Sequence, residues 1–438
     1  MARIRAAFRA RLWPLPVLAV ILAVALGIGL PALDEALDRG VPTPLQVYLF
    51  SGGPDAARAV LQAISGSLIT VTSLTFSLTV VTLQLASSQF SPRLLRTFTS
   101  DGFVHRTLAL FLGTFSYSLT VLRSVRSDTA GQTEFVPAIA VTVAFLLALA
   151  SVVGLVLFLA HLTREIRVET MMKNVHAETA ATIERLIPRD PAPQPDFAAP
   201  PGGQRISAVA SGFLNSVDSS RLVDAARDAG AVIRIDAWPG ESLISGVPFA
   251  TVSPGQRGPF TDTELRDLAK RVGKTVDIGF ERTNEQDPAF GFRQLADVAA
   301  RALSPGTNDP TTAVHVIGHL SSLLCLLATR ELRDENATDT DGVVRAILTK
   351  PGFEHFLSLA ISQSRHYGMQ DAQVGLRLLA LVEEVSWCDR AGSRTEALRS
   401  QLADLQAGIE KHDFAGTEEV ALRQRLERVR TALGVPRP

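Results

Sequence analysis

Hydrophobic positions are unevenly spread along this chain. Val136 to Leu162 reads VPAIAVTVAFLLALASVVGLVLFLAHL and carries no formal charge. At about 1.5 Å of rise per helical residue, such a run is long enough to cross a bilayer of about 30 Å with some tilt. Three further apolar runs precede it, at about 12–33, 60–86 and 104–122. The pattern predicts an α-helical membrane domain of four spans over residues 1–163. After the fourth span the period changes. Val168, Met171, Met172, Val175, Ile183 and Leu186 recur every three or four residues, which predicts an amphipathic stalk helix over 164–187 that continues the fourth span. Its apolar stripe has to be covered, either by the rest of the chain or by copies of itself, so a homo-oligomer is the expected state. Pro188, Pro191, Pro193, Pro195, Pro200 and Pro201 then mark a linker over 188–205.

Alternation of short strand and helix patterns over 206–310 predicts an α/β module. ISAVASGFLNSVD, AVIRIDAW, LISGVPFATV and TVDIGF read as strands, and SSRLVDAARDAG and FTDTELRDLAKRVG as capped helices. The remainder, 311–438, reads as helices at about 311–332, 341–349, 353–365, 370–388, 392–411 and 416–433. The fold class is therefore a four-helix membrane domain plus a soluble α/β domain with a helical C-terminal region.

Charge adds orientation. The 438 residues carry 43 basic and 44 acidic side chains, a net charge of -1 that gives no footprint for nucleic acid. Basic residues cluster at Arg3, Arg5, Arg9 and Arg11, at Arg93, Arg96 and Arg106, and at Arg164, Arg167 and Lys173. The first loop instead holds Asp34, Glu35, Asp38 and Asp55 against Arg39 and Arg58. Positive charge on the cytoplasmic side places both termini and the large C-terminal domain in the cytoplasm. The two cysteines, Cys325 and Cys388, support neither a disulfide framework nor a CxxC metal site.

The second span is unusual in its hydroxyls. Ser65, Thr72, Thr75, Thr79 and Thr82 fall on one side of a helical wheel, and Ser73, Ser77, Gln84 and Ser88 on the other. The first stripe suits a wet pathway, because hydroxyls solvate an ion without trapping it. It equally suits packing between helices, because a hydroxyl can bond to its own backbone. No Asp, Glu, Lys or Arg lies in the core of a span, which speaks against a proton relay or a voltage sensor. The expectation is a passive channel-like protein with this stripe lining the path for a small ion and a regulatory cytoplasmic domain. The alternative is a non-conducting, membrane-anchored sensor or scaffold that binds a ligand or protein.

Candidate chemistry in the soluble part is sparse. Glu281, Arg282, Asn284, Asp287, Arg293, Asn308 and Asp309 would form one polar cluster if the end of a strand met the SPGTNDP turn. Asp309 also reads as an N-cap with Pro310 in the first helical position. His315 and His319 share a helix face, yet Val316 stands where HExxH needs its glutamate. The turn lacks the lysine of a P-loop, no nucleophile–His–acid spacing stands out, and no enzyme, cofactor or metal is expected.

SLTFSLTVVTLQLASSQFSPRLL and DIGFERTNEQDPAFGFRQLADVAARALSPGTNDPTTA resemble the bacterial predicted membrane proteins grouped as the DUF2254 family. The resemblance extends over nearly the whole chain. It implies a membrane protein of bacterial type and carries no substrate or activity with it. Together with the four spans and the charge pattern, the expected location is the bacterial inner membrane, multi-pass and in contact with lipid.

Overall fold

A computed structural model describes residues 13–37, 49–89, 101–127, 134–165, 167–190, 194, 197, 203–255 and 258–434. The arginines at 3, 5, 9, 11, 93 and 96, and most of the linker prolines, lie outside the described residues. The described residues form thirteen helices and eight strands. They divide into two compact units, Met1–Thr170 and Met171–Pro438.

The first unit holds α1 (Pro14–Leu37), α2 (Pro54–Gln89), α3 (Gly102–Leu122) and α4 (Ala138–Glu165). α3 packs against the other three. Its only exposed large hydrophobic is Leu119, whereas α1, α2 and α4 present Leu18, Ile21, Phe76, Phe145, Leu146 and Val156 outward. A contiguous apolar surface of this extent needs a non-aqueous neighbour. Small residues set the close crossings. A Cβ at Gly27 would stand 2.8 Å from Thr120 Cβ, so α1 and α3 approach at a distance only glycine permits.

The ends of these helices are satisfied by tertiary contacts. Asp34, in the last turn of α1, accepts from the backbone N–H of Ile139 and Ala140 at 3.1 and 3.0 Å, capping α4 from another helix. Asp101 caps α3 through Phe103 N at 2.8 Å and meets His161 Nε2 of α4 at 2.5 Å. Arg58 donates to Ser127 Oγ and to the Val125 carbonyl, holding the start of α2 to the α3–α4 hairpin.

Four helices are long and apolar enough to cross a membrane, over Pro14–Ala36, Pro54–Gln84, Ala138–Arg164 and Pro310–Ala328. This set departs from the expected spans. The run at 104–122 is helical, as α3, yet is not among the four. Its buried His105, Thr107, Thr114, Tyr117 and Ser118 lower its hydropathy, and neighbouring helices supply their surroundings. The Pro310–Ala328 helix belongs instead to the second unit.

The expected stalk region is helical on both sides of its junction with the fourth apolar run. α4 is described to Glu165 and α5 over Val168–Leu186, with residue 166 between them outside the described residues. The α5 stripe of Met171, Met172, Val175 and Ile183 is buried in this single chain. A Cβ on Gly291 would overlap Thr179 Oγ1, so α5 presses directly on the helix bearing Gly291. A second copy is therefore not needed to cover the stripe.

In the second unit, β1 (Gln204–Ser207), β5 (Pro248–Pro254), β3 (Ala231–Ile235), β8 (Val344–Leu348) and β7 (Glu335–Thr338) form a five-stranded sheet in that order. Only β3 and β8 run parallel, with Ile233 opposite Ala346 and Ile235 opposite Leu348. A smaller antiparallel sheet has the order β4 (Ser242–Leu243), β2 (Gly212–Val217), β6 (Val276–Gly279). α6 (Ser219–Ala229) and α7 (Asp262–Gly273) cover a core that includes Leu214, Leu222, Ile233, Val252, Val272 and Ala346. The segment at 341–349 is thus a strand and not the expected helix. It joins the sheet of the α/β module, so 206–310 and 311–438 are not separate bodies.

The helical part comprises α8 (Pro288–Ala302), α9 (Pro310–Ala328), α10 (Phe353–Gly368), α11 (Ala372–Cys388), α12 (Thr395–Glu410) and α13 (Thr417–Ala432). α9 packs against α8, α10 and α11, and only Thr311, His315 and Ser322 are exposed along it. A helix apolar on almost every side is buried in protein or in lipid, and here protein covers it.

Candidate functional site

The hydroxyl stripe on α2 faces inward. Ser65, Thr72, Thr75 and Thr82 are buried and Thr79 is half-buried, while Ser73, Ser77 and Gln84 are exposed. α2 packs on α3 and α4, so the stripe lies within the helices of one chain. Thr72 Oγ1 donates to the Leu68 carbonyl at 2.6 Å, Thr79 to Thr75 at 2.8 Å and Thr82 to Leu78 at 2.8 Å. Ser65 donates to the Gln62 carbonyl at 3.1 Å. These hydroxyls spend their donors on the preceding turn, which is how a helix carries Thr in an apolar setting. Thr75 Oγ1 and Ser118 Oγ are buried without a partner among the described residues.

In the second unit, the polar run splits. Asp287 caps α8 by accepting from Phe290 N at 3.1 Å, and Arg282 Nε donates to its other oxygen at 2.6 Å. Asp287 is almost wholly buried, and the Arg282 guanidinium lies over the Phe290 ring. Burial raises the Asp287 carboxyl above its ordinary range, outweighing the pull of Arg282 in the other direction. Asn308 and Asp309 lie beyond the far end of α8, about 22 Å of helix away. The expected single cluster therefore does not form. Asp309 caps α9 through Thr312 N and Oγ1, bonds that hold its carboxyl below the usual range. Asn308 turns the chain with a φ of 46°. Glu281 is exposed and Asn284 half-buried on the loop before α8.

Residues that the sequence did not single out complete the Arg282 end. The parallel pairing of β3 and β8 brings two loops together at their carboxyl ends, a common position for ligands in α/β sheets. The loop after β3 supplies Trp238, Gly240 and Glu241, and the loop after β8 leads into His355 on α10. Gly240 adopts φ +98°, and a Cβ there would run into Asp287 Oδ2 and stand 2.6 Å from Arg282 Nη2. The ion pair is thus packed directly on backbone. Glu241 accepts from Trp238 N at 3.3 Å, and burial raises its carboxyl. The Trp238 ring meets His355 edge-on at 5.6 Å. Burial, then the charges of Arg282 and Arg293, lower the His355 imidazole, so it is neutral at pH 7. Arg293 is half-buried and has no hydrogen-bond or ion-pair partner among the described residues. An indole, a neutral imidazole and an uncommitted guanidinium can together receive a small anion with a flat or apolar part.

The His315–His319 face gains a neighbour from α5, since the His176 ring lies 5.2 Å from that of His319. No group of three or more His, Cys, Asp or Glu with metal-holding geometry occurs among the described residues.

Comparison with known proteins places the chain in a family. A family model described as predicted membrane protein (DUF2254) matches residues 9–384. This chain belongs to the DUF2254 family. Two uncharacterized relatives, from Mycobacterium bovis and Mycobacterium tuberculosis, are each 34% identical over 414 residues, 94% of this chain and 78% of theirs. No solved structure matches this DUF2254 chain. Membership agrees with the apolar helices of the first unit and leaves the Trp238–Arg293–His355 site to be read from its chemistry.

Proposed function

We propose that this DUF2254 protein is a membrane-anchored sensor of a small carboxylate or phosphate. In this reading α1–α4 sit in the bacterial inner membrane with α3 inside the bundle. The second unit and both chain termini are cytoplasmic, following the positive flanks. The ligand enters at the carboxyl ends of β3 and β8, against Trp238 and His355, and pairs with Arg293. The uncommitted, half-buried Arg293 guanidinium carries this reading. A charge with unused donors in a partly desolvated site favours an anionic partner. The inward, backbone-bonded threonine stripe supports an anchor over a conduit, because it is filled by the chain's own helices.

The test is thermal unfolding of the purified full-length protein with inorganic phosphate or with benzoate as probe. A saturable rise in Tm with one probe, abolished in Arg293→Gln and reduced in Trp238→Ala, is the expected result. No rise with either, or a rise that survives Arg293→Gln, sinks the assignment.

One observation favours a second reading, a conducting path through the bundle. Buried Thr75 and Ser118 each keep a hydroxyl without a partner, as a water-filled track would require. Ion flux through protein reconstituted in liposomes decides between the two. Flux that falls in Thr72→Leu and Thr79→Leu would replace the sensor reading with a channel.

A further inference from the structure

The chain has two cysteines, and folding brings them together from positions 63 residues apart. α9 and α11 pack side by side. A Cβ on Gly318 would stand 3.8 Å from Arg377 Nη2. Three residues on in α9, Ser321 Oγ donates to Oε2 of Glu384, seven residues on from Arg377 in α11, which Arg377 holds in a bidentate pair at 2.7 and 2.9 Å. Residues four apart on a helix lie one above the other. Cys325 follows Ser321 by four and Cys388 follows Glu384 by four, so the next rung is thiol against thiol. Both thiols are half-exposed and free.

We propose that Cys325 and Cys388 form a reversible oxidation site, a dithiol that low-molecular-weight disulfides convert to an intramolecular disulfide joining α9 to α11. In the first step one cysteine, as its thiolate, attacks a sulfur of the reagent RSSR. A mixed disulfide forms and RS⁻ leaves. The second cysteine then gives its proton to that RS⁻ and attacks the cysteine sulfur of the mixed disulfide. A second RS⁻ leaves and takes up the proton the first cysteine had lost. Two protein thiols are oxidised to one disulfide, and RSSR is reduced to two RSH. The Ser321–Glu384 contact one turn below the pair ties the two helices together there, so the second step needs side-chain movement and no repacking. The new bond closes a loop of residues 326–387, which contains β7, β8 and α10. The inference stands apart from the anion site and does not require it.

The test equilibrates the full-length protein in detergent with glutathione disulfide–glutathione buffers of rising oxidation. Samples are then quenched in acid, alkylated with N-ethylmaleimide and weighed intact. The expected result is one transition in which both alkylation sites are lost together, the chain is lighter by two hydrogens, and dithiothreitol restores it. Cys325→Ser and Cys388→Ser are expected to stop at a glutathione adduct. Stable glutathione adducts on the unmodified chain, independent alkylation of the two thiols, or a disulfide formed only between chains would each overturn the proposal. The decisive reading comes from the natural sequence, so a poorly folded variant does not remove it.

Discussion

Asp34→Ala tests how the first unit is held together. The Asp34 carboxylate closes the amino end of α4 from the last turn of α1, with both oxygens engaged and the side chain largely buried. Truncation leaves the N–H groups of Ile139 and Ala140 without an acceptor. An unpaired buried donor costs about 1–3 kcal/mol. Loss of the negative charge at a helix start removes up to about 2 kcal/mol more when the site is partly buried. The terms overlap, since the same two N–H groups carry much of the positive end of the dipole, so the expected net loss is about 2–4 kcal/mol. Asp34→Asn keeps one acceptor oxygen but turns an amide toward the other N–H, and is expected to lose about half as much. Equilibrium unfolding of the purified protein in mixed micelles, followed by far-ultraviolet circular dichroism, reads both variants. An Asp34→Ala loss below about 0.5 kcal/mol, the size of an ordinary surface substitution, would refute the tertiary cap.

Arg282→Ala strands a buried Asp287 and is expected to cost about 3–5 kcal/mol in denaturant unfolding of the second unit, with Arg282→Met plus Asp287→Asn recovering most of it. Gly291→Ala places a methyl against Thr179 and is expected to cost about 1–3 kcal/mol and to expose α5 to protease; unchanged cleavage between α4 and α8 would contradict that contact. His355 has its imidazole lowered in the folded state, so the unfolded chain binds the extra proton first. Its contribution to stability is complete above the unfolded value of about 6.5 and is lost as pH falls from there toward the folded value, at up to about 1.4 kcal/mol per pH unit. His355→Gln should flatten that acid limb of a Tm–pH profile, and an unchanged limb would assign it to other groups.

The helices at 14–37, 54–89 and 138–165 were legible because long uncharged runs have few alternatives. The stripe on α5 was legible too, but not what covers it, since periodicity gives a buried face and never its partner. Strands β7 and β8 were missed although Asp341-Gly342 is a hairpin signal between them. ATDTDGVVRAIL sits among helices, and its alternation is only a few residues long. Arg282 and Asp287 were found because a cap and its counter-ion are local in sequence. Trp238, Glu241 and His355 were not, because they meet the arginines only through the β3–β8 pairing, across 114 residues from Glu241 to His355. Asn308 and Asp309 were wrongly joined to Arg282 because short separation in sequence says nothing about the length of the helix between.

The placement of α3 bears on how the chain reaches its membrane. A segment holding buried His105, Thr107, Thr114 and Ser118 is a poor substrate for insertion by its own partitioning. Its favourable surroundings are the faces of α1, α2 and α4, and α4 is synthesised after it. Asp34 and Tyr117 both bond to the first turn of α4, so the arrival of that helix also completes the polar contacts of the earlier ones. With α1–α4 in the membrane as proposed, biogenesis should therefore be cooperative, with α3 retained at the translocation machinery until α4 emerges, and a chain truncated before Ala138 should fail to integrate its third helix.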